Sequence, residues 1–91
     1  MNSGWMAYEL DISDVCEESI RKHSKKNAAL KTALEKKIRQ ILENPHHFKP
    51  LKNPLQNKRR VQLGSFVLIY EIDEQTRTVK FLKFSHHDDA Y

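Results

Sequence analysis

Residues 66–72, Phe-Val-Leu-Ile-Tyr-Glu-Ile, constrain the fold more than any other stretch because they are apolar on both faces for most of their length. Such a strand is typical of the middle of a sheet that is covered by helices. Residues 59–63 alternate in polarity and lead into it through a Gly-Ser turn, and residues 79–84 follow a polar turn at residues 73–78. The sequence therefore predicts three consecutive strands joined by hairpins.

Two helices are predicted before these strands. A modest apolar stripe follows Ser13, a residue type suited to an N-cap, and predicts the first helix at about residues 13–24. The second is marked by apolar residues at four- and three-residue steps, and the pair Asn44-Pro45 ends it. Its apolar positions are Leu30, Leu34, Ile38, Ile41 and Leu42.

A short aromatic stretch at residues 5–10 predicts a first strand. The resulting order, β-α-α-β-β-β, indicates an α+β fold in which an antiparallel sheet packs against an N-terminal helical hairpin. A chain of 91 residues is expected to form one domain over residues 1–91. Residues 46–57 contain Pro50 and Pro54 and are expected to form a connection with little regular structure.

Composition excludes several classes of protein. Cys16 is the only cysteine, which excludes a disulfide framework and favours a reducing compartment, so a cytoplasmic location is expected. No stretch approaches the roughly 20 apolar residues of a membrane span, and no secretory signal is visible. For Cys16 itself, within the first predicted helix, a small buried apolar residue is favoured over a reactive thiol.

The net charge of +4 conceals a strong asymmetry along the chain. Residues 1–20 carry −5, residues 21–60 carry +11 and residues 61–91 carry −2. A middle section this basic favours a polyanionic partner, either nucleic acid or an acidic protein. The lysines of the predicted helices can equally form a solvated face. Another basic cluster lies outside the helical pattern, and Phe48 beside it is available to stack on a base. That cluster is Lys49, Lys52, Lys58, Arg59 and Arg60.

The segment at residues 85–91, Ser-His-His-Asp-Asp-Ala-Tyr, crowds two imidazoles, two carboxylates and a phenol together. Histidine titrates near neutral pH and serves readily as a general acid or base. Three interpretations remain open: a catalytic or binding surface, a frayed polar end, and a metal site. The metal site is least favoured, because adjacent histidines diverge on an extended chain. The hairpin order would bring this segment and the basic connection toward one groove.

Four spaced motifs together resemble the RelE/ParE toxin superfamily, and most closely its archaeal RelE-like members. They are Leu42-Glu43-Asn44-Pro45, Lys49-Pro50-Leu51, Arg60-x-x-x-Gly64-x-Phe66-x-Leu68-Ile69-Tyr70-Glu71-Ile72 and Ser85-His86-His87-x-x-x-Tyr91. The resemblance covers about residues 5–91. It implies a toxin held inactive by a cognate antitoxin, which we expect to be acidic, partly disordered and encoded adjacently.

The resemblance further implies an endoribonuclease that cuts messenger RNA in the ribosomal A site by attack of the 2′-hydroxyl, with no metal or cofactor. Its partners would be the ribosome and messenger RNA, with no membrane. Lys52 and Arg60 match basic positions that stabilise the phosphate, and Tyr91 matches a stacking or acid–base position. His87 is the candidate acid or base, followed by His86. The candidate RNA-binding residues are Lys49, Lys58, Arg59 and Lys83.

This sequence departs from the family pattern at two positions. Many members carry arginine at the positions of Gln62 and Val67, so two phosphate ligands are replaced here, and Arg59, Lys58 or Lys83 are candidates to compensate. A ParE-like inhibitor of DNA gyrase without hydrolysis is the alternative on the same scaffold, and a general RNA-binding module is a third. A double-stranded-RNA-binding domain is excluded because its sheet lies between its two helices in sequence.

Overall fold

A computed structural model of the chain describes residues 7–51 and 57–89. Within these residues the element order is the predicted β-α-α-β-β-β, with a short 3₁₀ turn after the second helix and another after the last strand. The helices and strands are β1 (Glu9–Ile12), α1 (Asp14–Ser24), α2 (Ala28–Glu43), β2 (Lys58–Leu63), β3 (Phe66–Asp73) and β4 (Thr78–His86), and the turns are Pro45–His47 and His87–Asp89.

The strands form one sheet in the order β1-β4-β3-β2. The α+β class is confirmed, and the predicted antiparallel pairing holds for β2, β3 and β4. β1 instead pairs with β4 in parallel, so the sheet is mixed. Two hairpins after β2 reverse the chain twice, which gives β4 the direction of β2, and the helical hairpin between β1 and β2 leaves β1 in that same direction. The predicted first strand at residues 5–10 is displaced to Glu9–Ile12, and residues 5 and 6 lie outside the described part of the chain.

Both helices begin at side-chain caps. The Ser13 hydroxyl accepts a hydrogen bond from the backbone N–H of Cys16 at 3.1 Å, which confirms the predicted start of α1. Asn27 caps α2 in the same way, through the N–H of Leu30 at 3.0 Å, and α2 ends before Pro45 as predicted. No helix in residues 7–51 and 57–89 is long and apolar enough to cross a membrane.

The core lies between the two helices and one face of the sheet. The helices contribute Cys16, Leu30, Leu34 and Ile41, and the sheet contributes Val61, Leu63, Leu68, Tyr70, Ile72, Val79, Phe81 and Phe84. Cys16 is fully buried, and burial raises the pKa of its thiol to about 11. The interpretation of Cys16 as a small buried apolar residue is therefore confirmed.

A bulge in β4 decides which of its side chains face the helices. Ile69 of β3 pairs with Lys83, whereas the next residue, Tyr70, pairs with Phe81. Leu82 is therefore an extra residue on β4, as in a β-bulge. Because of it, Phe81 and Phe84 both reach the core although they are three residues apart, and Lys83 lies on the opposite face.

Candidate functional site

The side of the sheet that faces away from α1 and α2, here called the outer face, carries a row of charged and polar side chains. Strand alternation assigns residues to it, because neighbours of the core residues point the opposite way. The outer face consists of Lys58, Arg60 and Gln62 on β2, Val67, Ile69 and Glu71 on β3, and Lys80, Lys83 and Ser85 on β4. Its five charged residues include four cations.

Arg60 and Lys83 lie in the same row of the outer face. Arg60 is opposite Ile69 on β3, and Ile69 is opposite Lys83 on β4. Two strand spacings separate the cations, roughly 10 Å between their Cα atoms. In the adjoining row Lys58 is opposite Glu71, so its charge is partly compensated there. The Arg60 row is consequently the most basic part of the outer face.

A groove of about 260 Å³ adjoins Arg60 at the edge of β2. It is lined by Lys49, Pro50, Leu51, Arg60 and Gln62. The groove exists because the connection pairs with β2: the N–H of Leu51 donates to the carbonyl of Lys58 at 2.9 Å, and the N–H of Arg60 donates to the carbonyl of Lys49 at 3.3 Å. This pairing brings the basic connection to Arg60, whereas the described histidines of residues 85–89, which were expected at the same groove, do not line it.

Arg59 points to the other side of β2 and holds the connection to the sheet. Its Nη1 donates to the carbonyl of Phe48 at 2.7 Å, and its Nη2 lies 3.4 Å from Nδ1 of His46. His46 in turn pairs with Glu74, which accepts a hydrogen bond from the Tyr8 hydroxyl at 2.9 Å. Arg59 therefore contributes to the fold in this geometry, and its predicted contact with RNA stays a prediction.

Gln62 and Val67, the two positions where the resemblance to the toxin superfamily predicts arginine, form a single row. Gln62 is directly opposite Val67, and Val67 is opposite Ser85, next to the Arg60 row on the outer face. The Gln62 side chain donates to the carbonyl of Gly64 at 3.1 Å, and Val67 is buried. This row is therefore uncharged here, so the basic surface is narrower than the family pattern implies.

The histidine pair after the last core residue of β4 lies at the end of that strand and in the 3₁₀ turn that follows it. His86 is still part of β4, where it is opposite Phe66, and the His87 backbone N–H donates to the carbonyl of Ser65 at 2.7 Å. Through this pairing and this hydrogen bond, the two histidines are held at the end of the sheet. The His86 ring packs edge-on against Phe66 at a centroid distance of 5.7 Å, on the helix side of the sheet and not on the outer face.

The 3₁₀ turn brings His86, His87 and Asp88 together. Their ligating atoms all lie within 4.8 Å of one another, and the two imidazole centroids are 5.2 Å apart. The expectation that these histidines diverge is wrong, because the extended chain ends at His86. The sequence contained one signal for this cluster, the run His-His-Asp, but Asp88 was not singled out as the carboxylate that contacts both rings.

The structure thus groups the predicted residues into two sets. Lys49 and Arg60 meet at the groove, with Lys58 and Lys83 on the same outer face. His86 and His87 form a separate cluster beyond the end of β4. Lys52 and Tyr91 lie outside the described residues, so their predicted roles stay predictions. Pro50 and Leu51 supply the apolar wall of the groove, a role that the sequence analysis does not predict for them.

Comparison with known proteins identifies the family. The family described as the ParE toxin of the type II toxin–antitoxin system, parDE, matches residues 12–91. The chain belongs to the RelE/ParE superfamily of type II toxins. The Methanocaldococcus jannaschii protein named "Putative toxin RelE4" is 40% identical over 85 residues, which cover 92% of this chain and 90% of the relative.

Solved structures of toxins share the fold at low identity. The toxin in the intact Escherichia coli RelBE toxin–antitoxin complex matches with a TM-score of 0.75 and 21% identity, over 88% of this chain and 96% of the other. A metal-bound toxin from Helicobacter pylori matches with a TM-score of 0.71 and 20% identity, over 92% of this chain and 99% of the other. At these identities the likeness establishes the fold alone, which is the one described above.

Proposed function

We propose that this RelE-like toxin is a ribosome-dependent endoribonuclease that cleaves messenger RNA in the ribosomal A site. The observation that carries the proposal is the outer face, where Arg60 and Lys83 lie in one row beside a groove lined by Lys49 and Arg60. Guanidinium and ammonium groups bind phosphate and stabilise the charge that develops on it during phosphoryl transfer. A basic row next to a partly apolar groove suits a single RNA strand, whose phosphates and bases need different surfaces.

The proposed reaction needs no cofactor. A base takes the proton from the 2′-hydroxyl, the 2′-oxygen attacks the adjacent phosphorus, and the 5′-oxygen leaves with a proton from an acid, which gives a 2′,3′-cyclic phosphate and a 5′-hydroxyl. Arg60 and Lys52 stabilise the phosphate, and His87 is the acid or base, with His86 as the second candidate. Tyr91 stacks on a base or takes part in proton transfer. Lys49, Lys58, Arg59 and Lys83 are the remaining proposed RNA contacts.

The two sets of residues lie apart on the sheet. His86 is in the row of Phe66 and Leu63, three residues along β2 from Arg60 and two strands away. These steps correspond to a Cα separation of roughly 14 Å. The proposal therefore has the long Arg60 side chain and the His87 ring act on a substrate that lies between them. The ribosome would present the messenger in that position.

Incubation with programmed ribosomes and mapping of the new 5′ ends tests the proposal. We expect cuts in the A-site codon, and the variants Arg60→Ala, His87→Ala and Lys52→Ala should each reduce the rate. Lys25→Ala is the matched control, because it removes an exposed positive charge from the end of α1, away from the outer face. Intact transcripts at high toxin concentration would rule out the proposal, as would an equal loss of activity in Lys25→Ala.

The second candidate is a ParE-like inhibitor of DNA gyrase that performs no hydrolysis. The matching family description, which names the ParE toxin, favours it, and a fold does not fix the function it carries. A supercoiling assay with purified gyrase separates the two candidates. Inhibition of supercoiling without any RNA cleavage would favour the ParE-like function, whereas cleavage on ribosomes without inhibition would favour the ribonuclease.

We also propose an acidic antitoxin as the partner of this chain. Support comes from the charge of +11 over residues 21–60 and from the fold shared with a toxin solved as a toxin–antitoxin complex. A partner of this kind would cover the outer face and neutralise its cations. Co-expression with the product of an adjacent reading frame, followed by co-purification over a salt gradient, tests it. An adjacent product that is acidic but does not co-purify would count against the proposal.

A further inference from the structure

The cluster of His86, His87 and Asp88 has the composition and spacing of a transition-metal site. Nδ1 of His86 lies 3.5 Å from Oδ2 of Asp88, and Nε2 of His87 lies 3.3 Å from Oδ1 of the same carboxylate. Zinc binds nitrogen and oxygen ligands at about 2.0–2.2 Å, so two ligands at the tetrahedral angle are roughly 3.4 Å apart. Both measured separations agree with that value.

We propose that His86, His87 and Asp88 bind one Zn²⁺ ion per chain. This inference concerns binding and does not depend on the proposed ribonuclease activity. Two imidazoles and one carboxylate match the ligands that zinc accepts in three-ligand sites, which keep a fourth position open for water. Mg²⁺ and Ca²⁺ prefer sites made of oxygen ligands, so this donor set selects against them.

Electrostatics within the cluster favour a cation between the rings and the carboxylate. Nδ1 of His86 accepts a long hydrogen bond, 3.4 Å, from the backbone N–H of Asp88, so its lone pair points toward Asp88 and zinc would have to replace this weak bond. A nitrogen lone pair and a carboxylate oxygen that face each other repel unless a proton or a metal ion lies between them. Zn²⁺ in this position would accept electron pairs from both groups.

Contacts outside the cluster hold the His86 ring and the His87 backbone in place before any metal binds. The His86 ring packs against Phe66, and the backbone of His87 is held by its hydrogen bond to the carbonyl of Ser65. Phe66 stacks in turn on Phe84 at a centroid distance of 5.2 Å. Zinc binding would therefore require small side-chain rotations and no refolding of β4. A site fixed in this way loses little conformational entropy when it binds its ion.

Isothermal titration calorimetry of the full chain with ZnCl₂ tests the proposal, with Asp88→Asn and the double variant His86→Ala/His87→Ala as the site variants. We expect one Zn²⁺ per chain in the wild type and binding at least about tenfold weaker in each variant, which corresponds to about 1.4 kcal/mol. His47→Gln is the control, because His47 belongs to the other adjacent histidine pair and its ring contacts Phe48. Circular dichroism checks that each variant is folded.

Imidazole NMR spectra provide a second readout that needs no variant. The chain has five histidines, and titration with ZnCl₂ should move the signals of His86 and His87 and leave those of His23, His46 and His47 in place. No saturable binding, the same affinity in Asp88→Asn as in the wild type, or a loss of affinity in His47→Gln would each overturn the proposal.

One consequence does rest on the proposed function. A zinc ion would occupy the nitrogen lone pair that His87 needs for proton transfer, so Zn²⁺ should inhibit cleavage on programmed ribosomes. In Asp88→Asn the inhibiting concentration should rise by the same factor as the dissociation constant. If the protein cleaves no RNA at all, the ribonuclease proposal fails while the calorimetric result stands. If calorimetry confirms that zinc is bound and saturating zinc does not inhibit cleavage, His87 takes no part in the reaction.

Discussion

The two faces of the sheet are built from the same strands but differ in role: one packs in the core and the other carries charged residues. On the helix side, Val61, Leu68 and Phe81 are buried in the core, whereas their neighbours on the outer face include the Arg60 row. One-residue alternation therefore interleaves residues that stabilise the fold with residues available to a ligand. Stability and ligand contact should therefore be separable by mutation, since a change on one face leaves the contacts of the other face in place.

The largest expected effect is on the helix side. Phe81 is fully buried and contacts Tyr70 in the core. Truncation to alanine in Phe81→Ala leaves a cavity and should reduce the free energy of unfolding by about 3–5 kcal/mol. Urea denaturation followed by circular dichroism measures it, and Phe81→Leu is the control with a smaller loss. A Phe81→Ala variant as stable as the wild type would show that the core does not depend on this ring.

Arg60→Ala is the counterpart on the outer face. If Arg60 stabilises the phosphate in the transition state, its loss should lower the rate of cleavage on programmed ribosomes by about 10²–10³-fold. The free energy of unfolding should fall by much less than in Phe81→Ala, because no core contact is lost. Arg60→Lys keeps the charge without the planar fork and should recover part of the rate. If the cleavage rate of Arg60→Ala falls only in proportion to the fraction of unfolded protein, Arg60 has no role in the reaction.

The boundaries of helices and strands are predictable from the sequence where the residues that fix them are close in the chain. Ser13 and Asn44-Pro45 affect the backbone conformation only within a few residues of themselves. The start of α1 and the end of α2 were therefore predicted correctly. The position of β1 was predicted less well, because its pairing with β4 fixes it and Glu9 is opposite Thr78, far along the chain. Local propensity carries no information on such a partner.

The candidate site shows the same division. Hairpin order predicted that the basic connection and the histidine segment would approach one groove, but of these two the connection lines the groove beside Arg60 and the described histidines do not. It did not predict that His86 would lie on the helix side, because that depends on the bulge at Leu82, which shifts the alternation of β4 by one residue. The cluster of His86, His87 and Asp88 depends in turn on the 3₁₀ turn, which has no proline or glycine to mark it.

Tyr70→Phe tests the link between the core and the basic connection. The buried Tyr70 hydroxyl donates to the carbonyl of Pro45 at 2.6 Å, and burial raises its pKa to about 12, so it stays protonated as a donor at neutral pH. Its removal leaves a buried carbonyl unsatisfied and should reduce stability by about 1–3 kcal/mol. Hydrogen exchange should rise selectively at residues 44–51. Uniform exchange across all strands would show that this bond does not hold the connection specifically.

The smallest expected effect comes from restoring charge to the uncharged row of the outer face. Gln62 is exposed on the edge strand beside Arg60, and Gln62→Arg adds a cation to this row. One added phosphate contact should steepen the salt dependence of RNA binding by about 0.7 in log K against log salt concentration. Stability should change by less than about 0.5 kcal/mol, since no buried contact is altered. Gln62→Glu is the matched control and should weaken binding without changing the fold. If the salt dependence of RNA binding is unchanged in Gln62→Arg, the bound RNA does not reach this row. The path of the RNA strand would then be confined to Arg60, Lys83 and the groove.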